Sequence, residues 1–120
     1  MKIIFLDFDG VLNSAKYLRG REEYGVVIDP ARMVLLKQIA DATGAKIVLS
    51  TSWREHWSKN QTECNGTGML INDIFSDFGL QILDKTPMLR AAREAEIKSW
   101  LDGHPEVENF VVLDDRLMCA

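Results

Sequence analysis

The chain opens on an unbroken apolar run, Ile3 to Leu6, that ends abruptly in Asp7. Residues 2–7 are rich in β-formers and show no helical period, which suits a strand buried on both faces of a parallel sheet. Asp9-Gly10 then breaks the run. A helix is predicted next: Asp29 is placed to cap it, Pro30 suits its first position, Leu35, Leu36, Ile39 and Ala40 share one face, and Gly44 stops it. Lys46 to Leu49 reads as a second buried strand and delivers Ser50, Thr51 and Ser52 where it leaves the sheet. Residues 54–68 have no clean period and suggest a short helix followed by a loop. Ile71, Ile74, Phe75 and Phe78 return to helical spacing up to Gly79, and a strand follows at 80–83. Ile97, Trp100 and Leu101 mark an amphipathic helix over 92–102, with Gly103 and Pro105 just beyond it. Phe110 to Leu113 is the last strand, ending in Asp114-Asp115.

This alternation predicts an α/β fold with a parallel sheet and right-handed crossovers. The 120 residues, 47% apolar and 27% charged, provide for one globular domain over 1–120. A net charge of −4 and a pI near 5.1 argue against a broad nucleic-acid surface, though not against a local basic rim. The first apolar run is too short for a signal-peptide core or a membrane span, so the expected location is the cytoplasm, with no membrane partner. Cys64 and Cys119 lack metal-ligand spacing and are expected to be reduced thiols.

In open parallel α/β sheets the working crevice lies at the carboxyl ends of the strands. Three strand ends here carry polar groups: Asp7 with Asp9, Ser50 to Ser52, and Asp114 with Asp115. If these strands are neighbours, four carboxylates converge and repel unless a cation intervenes. The ligands on offer are hard oxygens, which favour Mg²⁺ over zinc or copper. A carboxylate beside a metal-neutralised phosphate can attack phosphorus and form an acyl phosphate, which makes Asp7 the candidate nucleophile. Asp9, already in the turn, would face the leaving group, first as acid and then as base. Gly10 gives that turn its backbone freedom and offers an amide to a phosphate oxygen. A hydroxyl at the second strand end and a cation near the third would complete the charge stabilisation. The planar fork of Arg54 suits a phosphate or substrate contact. Trp53, Trp57 and Trp100 read first as packing groups, although Trp53 and Trp57 flank the site and can also stack on a base. A single DxDG carries little, since Asp-Gly turns follow many strands; three polar clusters, each ending an apolar run, carry much more.

These segments resemble the haloacid dehalogenase (HAD) superfamily. FLDFDGVLN matches its DxDG signature, IVLSTS its second motif and VVLDD its acidic fourth motif, in the right order over nearly the whole chain. The resemblance implies a Rossmann-like three-layer sandwich, with Asp7 as nucleophile and Asp9 as acid/base. It also implies Mg²⁺ held by Asp7, the Asp9 backbone carbonyl and Asp114 or Asp115. Asp at the second acidic position resembles the phosphatase and phosphomutase branch. The family's third motif is usually a Lys near a helix start; here Arg93 stands at that place, with Lys85 and Lys98 as competitors. The plainer reading of Arg93, close to Glu94 and Glu96 on an exposed helix, is a solvated side chain. The second-motif hydroxyl is assigned to Ser50, with Thr51 and Ser52 as alternatives.

Residues 14–30 and 84–92 are too few to build a substantial cap, so the site should be open. That suits a large substrate such as a phosphorylated polynucleotide end or a phosphoprotein, and the chain resembles the small capless domains found beside nucleic-acid repair enzymes; residues 54–68 could act as a partial lid, which keeps small phosphomonoesters in play. The family core normally continues past the fourth motif. The chain therefore reads as a piece truncated at its C-terminus or as an unusually small member, with an open sheet edge through which it could oligomerise. Two other readings remain: a phosphate-accepting module similar to response-regulator receivers, and an inactive HAD-like binding domain. Motif order disfavours the receiver, and the presence of Asp7, Asp9 and Asp115 disfavours the inactive domain.

Overall fold

A computed structural model describes residues 1–19, 28–90 and 92–114. Four parallel strands form one sheet in the order β3-β2-β1-β4: β1 (Lys2–Leu6), β2 (Lys46–Leu49), β3 (Ile82–Lys85) and β4 (Asn109–Leu113). Between them run α1 (Ala15–Leu18), α2 (Pro30–Thr43), α3 (Gly66–Asp77) and α4 (Arg93–Asp102), with 3₁₀ turns at Ser52–His56 and Gln61–Glu63. The two faces of β1 diverge, as the period of a strand requires. Ile4 and Leu6 join Ile47 and Leu49 against Met33, Leu36 and Ala40 of α2 and Ile71 and Phe75 of α3. Ile3 and Phe5 join Val48 on the other face against Ile97 and Trp100 of α4. The result is the parallel α/β sheet expected from the alternation of strands and helices, in the three-layer form that the family resemblance implies.

The termini of α2 follow the sequence signals. Asp29 accepts a hydrogen bond from the Ala31 amide at 3.0 Å, Pro30 begins the helix, and Gly44 closes it at φ 72°. Asp29→Ala leaves that amide without its cap, so urea unfolding should show a loss of about 1 kcal/mol. The buried face of α2 differs from the expected one. Met33, Leu36 and Ala40 point inward, while Leu35 and Ile39 are exposed, so Leu36 and Ala40 of the expected face are buried and the face extends to Met33 instead.

Two further boundaries differ, and one short helix is additional. α3 begins at Gly66, capped by Asn65 through the Gly68 amide, so Gly66 and Gly68 lie inside a helix rather than in a loop. β3 starts two residues later than expected, at Ile82, and its pairing with β2 passes over Leu83: Ile47 lies opposite Ile82 and Val48 opposite Asp84. α1, capped by Ser14, was not anticipated. No helix among the described residues is long and apolar enough to cross a membrane.

The register of β1 positions the chemistry. Leu6, its last residue, lies level with Leu49 on one side and with Leu113 on the other. The ladder continues one step further, the Ser50 amide donating to Leu6 O at 3.0 Å and the Asp7 amide to Leu113 O at 2.9 Å. Asp7, Ser50 and Asp114 therefore leave three adjacent strands at the same height.

Candidate active site

Asp7 is buried, yet it is aimed by two donors. Its Oδ1 accepts from the Phe8 amide at 2.9 Å and lies 3.0 Å from Arg93 Nη1. The same Arg93 nitrogen donates to Asp114 Oδ2 at 2.8 Å. One guanidinium thus gathers two buried carboxylates from neighbouring strand ends. Burial pushes the Asp7 carboxyl above its ordinary range; the Arg93 charge opposes this and the Asp114 charge adds to it. For Arg93 burial works against the charge, but Asp7 and Asp114 outweigh it and hold the guanidinium above its usual value.

Of the three cations considered for the third motif, Arg93 is the one that reaches Asp7 among the described residues. Lys85 instead donates to the backbone oxygens of Arg54 at 3.1 Å and Trp57 at 2.6 Å, closing the 3₁₀ turn at Ser52–His56. Lys98 is exposed and pairs with Asp102.

The DxDG turn is built from within. Gly10 takes φ 80°, a backbone state that a side chain would strain. Its amide, expected to be free for a phosphate oxygen, donates to Asn13 Oδ1 at 3.0 Å. Asn13 Nδ2 in turn makes a long contact, 3.5 Å, to Asp9 Oδ1, so this buried Asn lies between the Gly10 amide and the exposed Asp9 carboxylate. Asn13 lies within the recognised segment but went unassigned; the tendency of Asn to bond nearby backbone groups was the available signal.

At the end of β2, Ser50 and Thr51 are both fully buried. Thr51 Oγ1 accepts from the Trp53 amide at 3.3 Å as the cap of the 3₁₀ turn. Ser50 Oγ is a buried side-chain oxygen with no hydrogen-bond partner among the described residues. Such a hydroxyl is costly unless something not yet present bonds to it.

Arg54 is a correction. Expected at the substrate, it is buried and directs all five N–H groups inward, to the backbone oxygens of Ser50, Thr51, Thr86 and Pro87 and to Glu96. No donor remains for a phosphate. Glu96 is buried against Arg54 at 2.7 Å, and Arg93, which the plainer reading left in solvent, is buried too. Trp57 is likewise a packing group, its indole donating to Asn72 Oδ1 at 2.8 Å, while Trp53 is half-buried.

Asp115 and Cys119 lie outside the described residues, so Asp114 represents the fourth motif here. Among the described residues no cluster of three or more His, Cys, Asp or Glu side chains forms a metal cage. The donor set nevertheless fits a hard cation. Asp7 and Asp114 present two carboxylates to one guanidinium, leaving a buried negative charge of the kind Mg²⁺ takes up with a few oxygen ligands and water.

No curated protein and no solved structure matches the chain. The sequence profile of the HAD domain in Swiss Army Knife RNA repair proteins matches residues 3–119. That match spans nearly all of the chain and takes in all three strand ends that meet around Asp7, so the chain belongs to the HAD domain family of Swiss Army Knife RNA repair proteins.

Proposed function

We propose that this domain is a Mg²⁺-dependent phosphomonoester hydrolase that works through an aspartyl-phosphate on Asp7. Membership of the family implies a phosphoesterase role. The observation that carries the finer reading is the pairing of a buried, oriented Asp7 carboxylate with a buried, unpartnered Ser50 hydroxyl at the next strand end. Asp7 Oδ1 is held by Phe8 and Arg93, so Oδ2 is the oxygen left to attack phosphorus. As the P–O bond to the leaving group breaks, Asp9 gives that oxygen a proton. A water then attacks the acyl phosphate, Asp9 takes its proton, and inorganic phosphate departs with Asp7 restored. Ser50 Oγ would donate to a phosphoryl oxygen, and Arg93 would balance charge on the same group. Asp7, the Asp9 backbone carbonyl and Asp114 would hold Mg²⁺, with Asp115 as a further candidate. Bound there, the ion neutralises charge on the phosphoryl oxygens.

The substrate class favoured is a phosphorylated polynucleotide end, the kind of group an RNA repair protein meets. Among the described residues, 14–19 and 28–30 contribute one four-residue helix, which is no substantial cap. The net charge of −4 makes tight binding depend on contacts beyond this domain.

The test is phosphate release from a phosphomonoester panel that includes mononucleotides and 3′- or 5′-phosphorylated oligoribonucleotides, with Mg²⁺ and with chelator. Release that requires Mg²⁺ is expected. A stable phosphoprotein without turnover would point to the receiver-like reading, and complete inertness to a binding domain. Asp9→Asn should slow both half-reactions, lowering kcat by about 10²- to 10⁴-fold, the usual share of general acid–base catalysis. Undiminished steady-state turnover would remove Asp9 from that role.

A further inference from the structure

We infer that the buried Arg54–Glu96 pair positions Arg93, and through Arg93 sets the distance between Asp7 and Asp114. As a claim about catalysis this rests on the reading of Asp7 as nucleophile; as a claim about geometry it does not. Arg93, Glu96, Ile97 and Trp100 form the inner stripe of α4. Its second half is fixed by packing, since Ile97 and Trp100 sit against Ile3, Phe5 and Val48, with the Phe5 and Trp100 rings edge-on at 5.5 Å. Among the described residues its first turn has no such apolar anchor. Ala92, at the cap position, offers no side-chain hydrogen bond, so Arg93 and Glu96 are the groups that hold that end.

Glu96 is held on both oxygens. Oε1 accepts from Arg54 Nη2 at 2.7 Å, and Oε2 accepts from the Leu89 amide at 2.8 Å. The opposite end of the Arg54 fork is tied to three backbone carbonyls: Nη1 donates to Ser50 O at 3.0 Å and Thr51 O at 2.7 Å, and Nε to Thr86 O at 3.2 Å. One side chain therefore bolts the segment after β2, the segment after β3 and the start of α4 together. A buried ion pair is a poor way to gain stability, because desolvation cancels much of its attraction. What a planar, five-donor group supplies better than an apolar one is direction. Arg93 Nη1 must sit 3.0 Å from one carboxylate and 2.8 Å from another on a different strand, and a small slide of α4 would lose one of them.

Glu96→Gln tests this, being isosteric and still able to accept from Arg54. In the metal-free protein the Arg93 guanidinium ¹H–¹⁵N resonances should be resolved and slow to exchange, and should average in Glu96→Gln. In turnover the variant should lose roughly ten- to a hundredfold in kcat, the scale of an ångström-level misplacement, with KM changed less than about threefold. Glu96→Gln combined with Arg93→Ala should be no slower than Arg93→Ala alone, because the first change acts through the second residue. Unchanged Arg93 resonances in Glu96→Gln, or losses that multiply in the double variant, would overturn the inference. If Glu96→Gln lacks the near-ultraviolet dichroism of the folded protein, Arg54→Lys is read in the same way. Failure of both to fold would make the pair a requirement of the fold and also end the proposal. A wild-type protein that hydrolyses nothing while its resonances respond as expected would sink the phosphatase reading and leave the positioning intact.

Discussion

Asp7→Asn is expected to abolish Mg²⁺-dependent phosphate release, lowering kcat by about 10⁴-fold or more, because the amide oxygen is too weak a nucleophile to form the acyl phosphate. The same change should leave the domain folded and make it more stable at neutral pH. The reason is the direction of the Asp7 shift. Its folded-state value lies above the ordinary 3.8, chiefly through burial, so the folded chain holds this proton more tightly than the unfolded chain does. The contribution of Asp7 to stability is therefore most favourable below the unfolded value and is lost as the pH rises through the folded one. At pH 7 the charged carboxylate is a net cost, and Asn removes it while Arg93 keeps Asp114 as a partner. Stabilisation of roughly 0.5–2 kcal/mol at pH 7 is expected, the range seen when function-driven strain is relieved, shrinking as the pH falls toward 3.8. Urea unfolding of both proteins across this range measures it. Retained turnover would refute Asp7 as nucleophile, and a variant less stable at pH 7 would refute the electrostatic account.

The meeting of three polar strand ends was readable because each polar residue stands one residue past an apolar run. In a parallel sheet whose strands end level, that is enough to bring Asp7, Ser50 and Asp114 together, and the register of Leu6 with Leu49 and Leu113 does so. Arg93 was legible only through the family resemblance, which asks for a cation near a helix start and leaves Lys85 and Lys98 as competitors. The orientation of Arg54 was not legible. Its burial depends on Glu96, 42 residues further on, and residue type gives a charge without a direction. Glu96 carries no signal of its own for the matching reason: charged residues close together on a helix look solvated until the opposite face is known. β3 was placed two residues early because the run between Gly79 and Asp84 contains no feature that marks the step over Leu83. The start of α3 was hidden by its glycines. Local propensity places Gly66 and Gly68 in a loop, and only a tertiary contact explains why a helix keeps one of them.

That contact leads to the second large effect. Gly68 lies inside α3 with a normal helical backbone, so propensity alone says that Gly68→Ala should stabilise the domain by about 1 kcal/mol. Packing says the reverse. A Cβ at this position would sit 1.9 Å from the His56 carbonyl oxygen and 2.8 Å from its carbon, both backbone atoms of the 3₁₀ turn. No side-chain rotation can relieve such an approach; either α3 or the turn must move by about an ångström. If α3 moves, Ile71 and Phe75 lift from the core. If the turn moves, Arg54 is pulled from Ser50, Thr51 and Glu96, since it belongs to the same turn. Overpacking a rigid site costs about 1–3 kcal/mol and occasionally more. With backbone on both sides the upper end applies, so a net loss of roughly 2 kcal/mol or more is expected after the propensity gain. Chemical denaturation measures that loss, and turnover well below the melting temperature should fall as well because the turn follows directly on Ser50. A Gly68→Ala protein as stable as wild type would mean that α3 and the turn at His56 do not approach this closely.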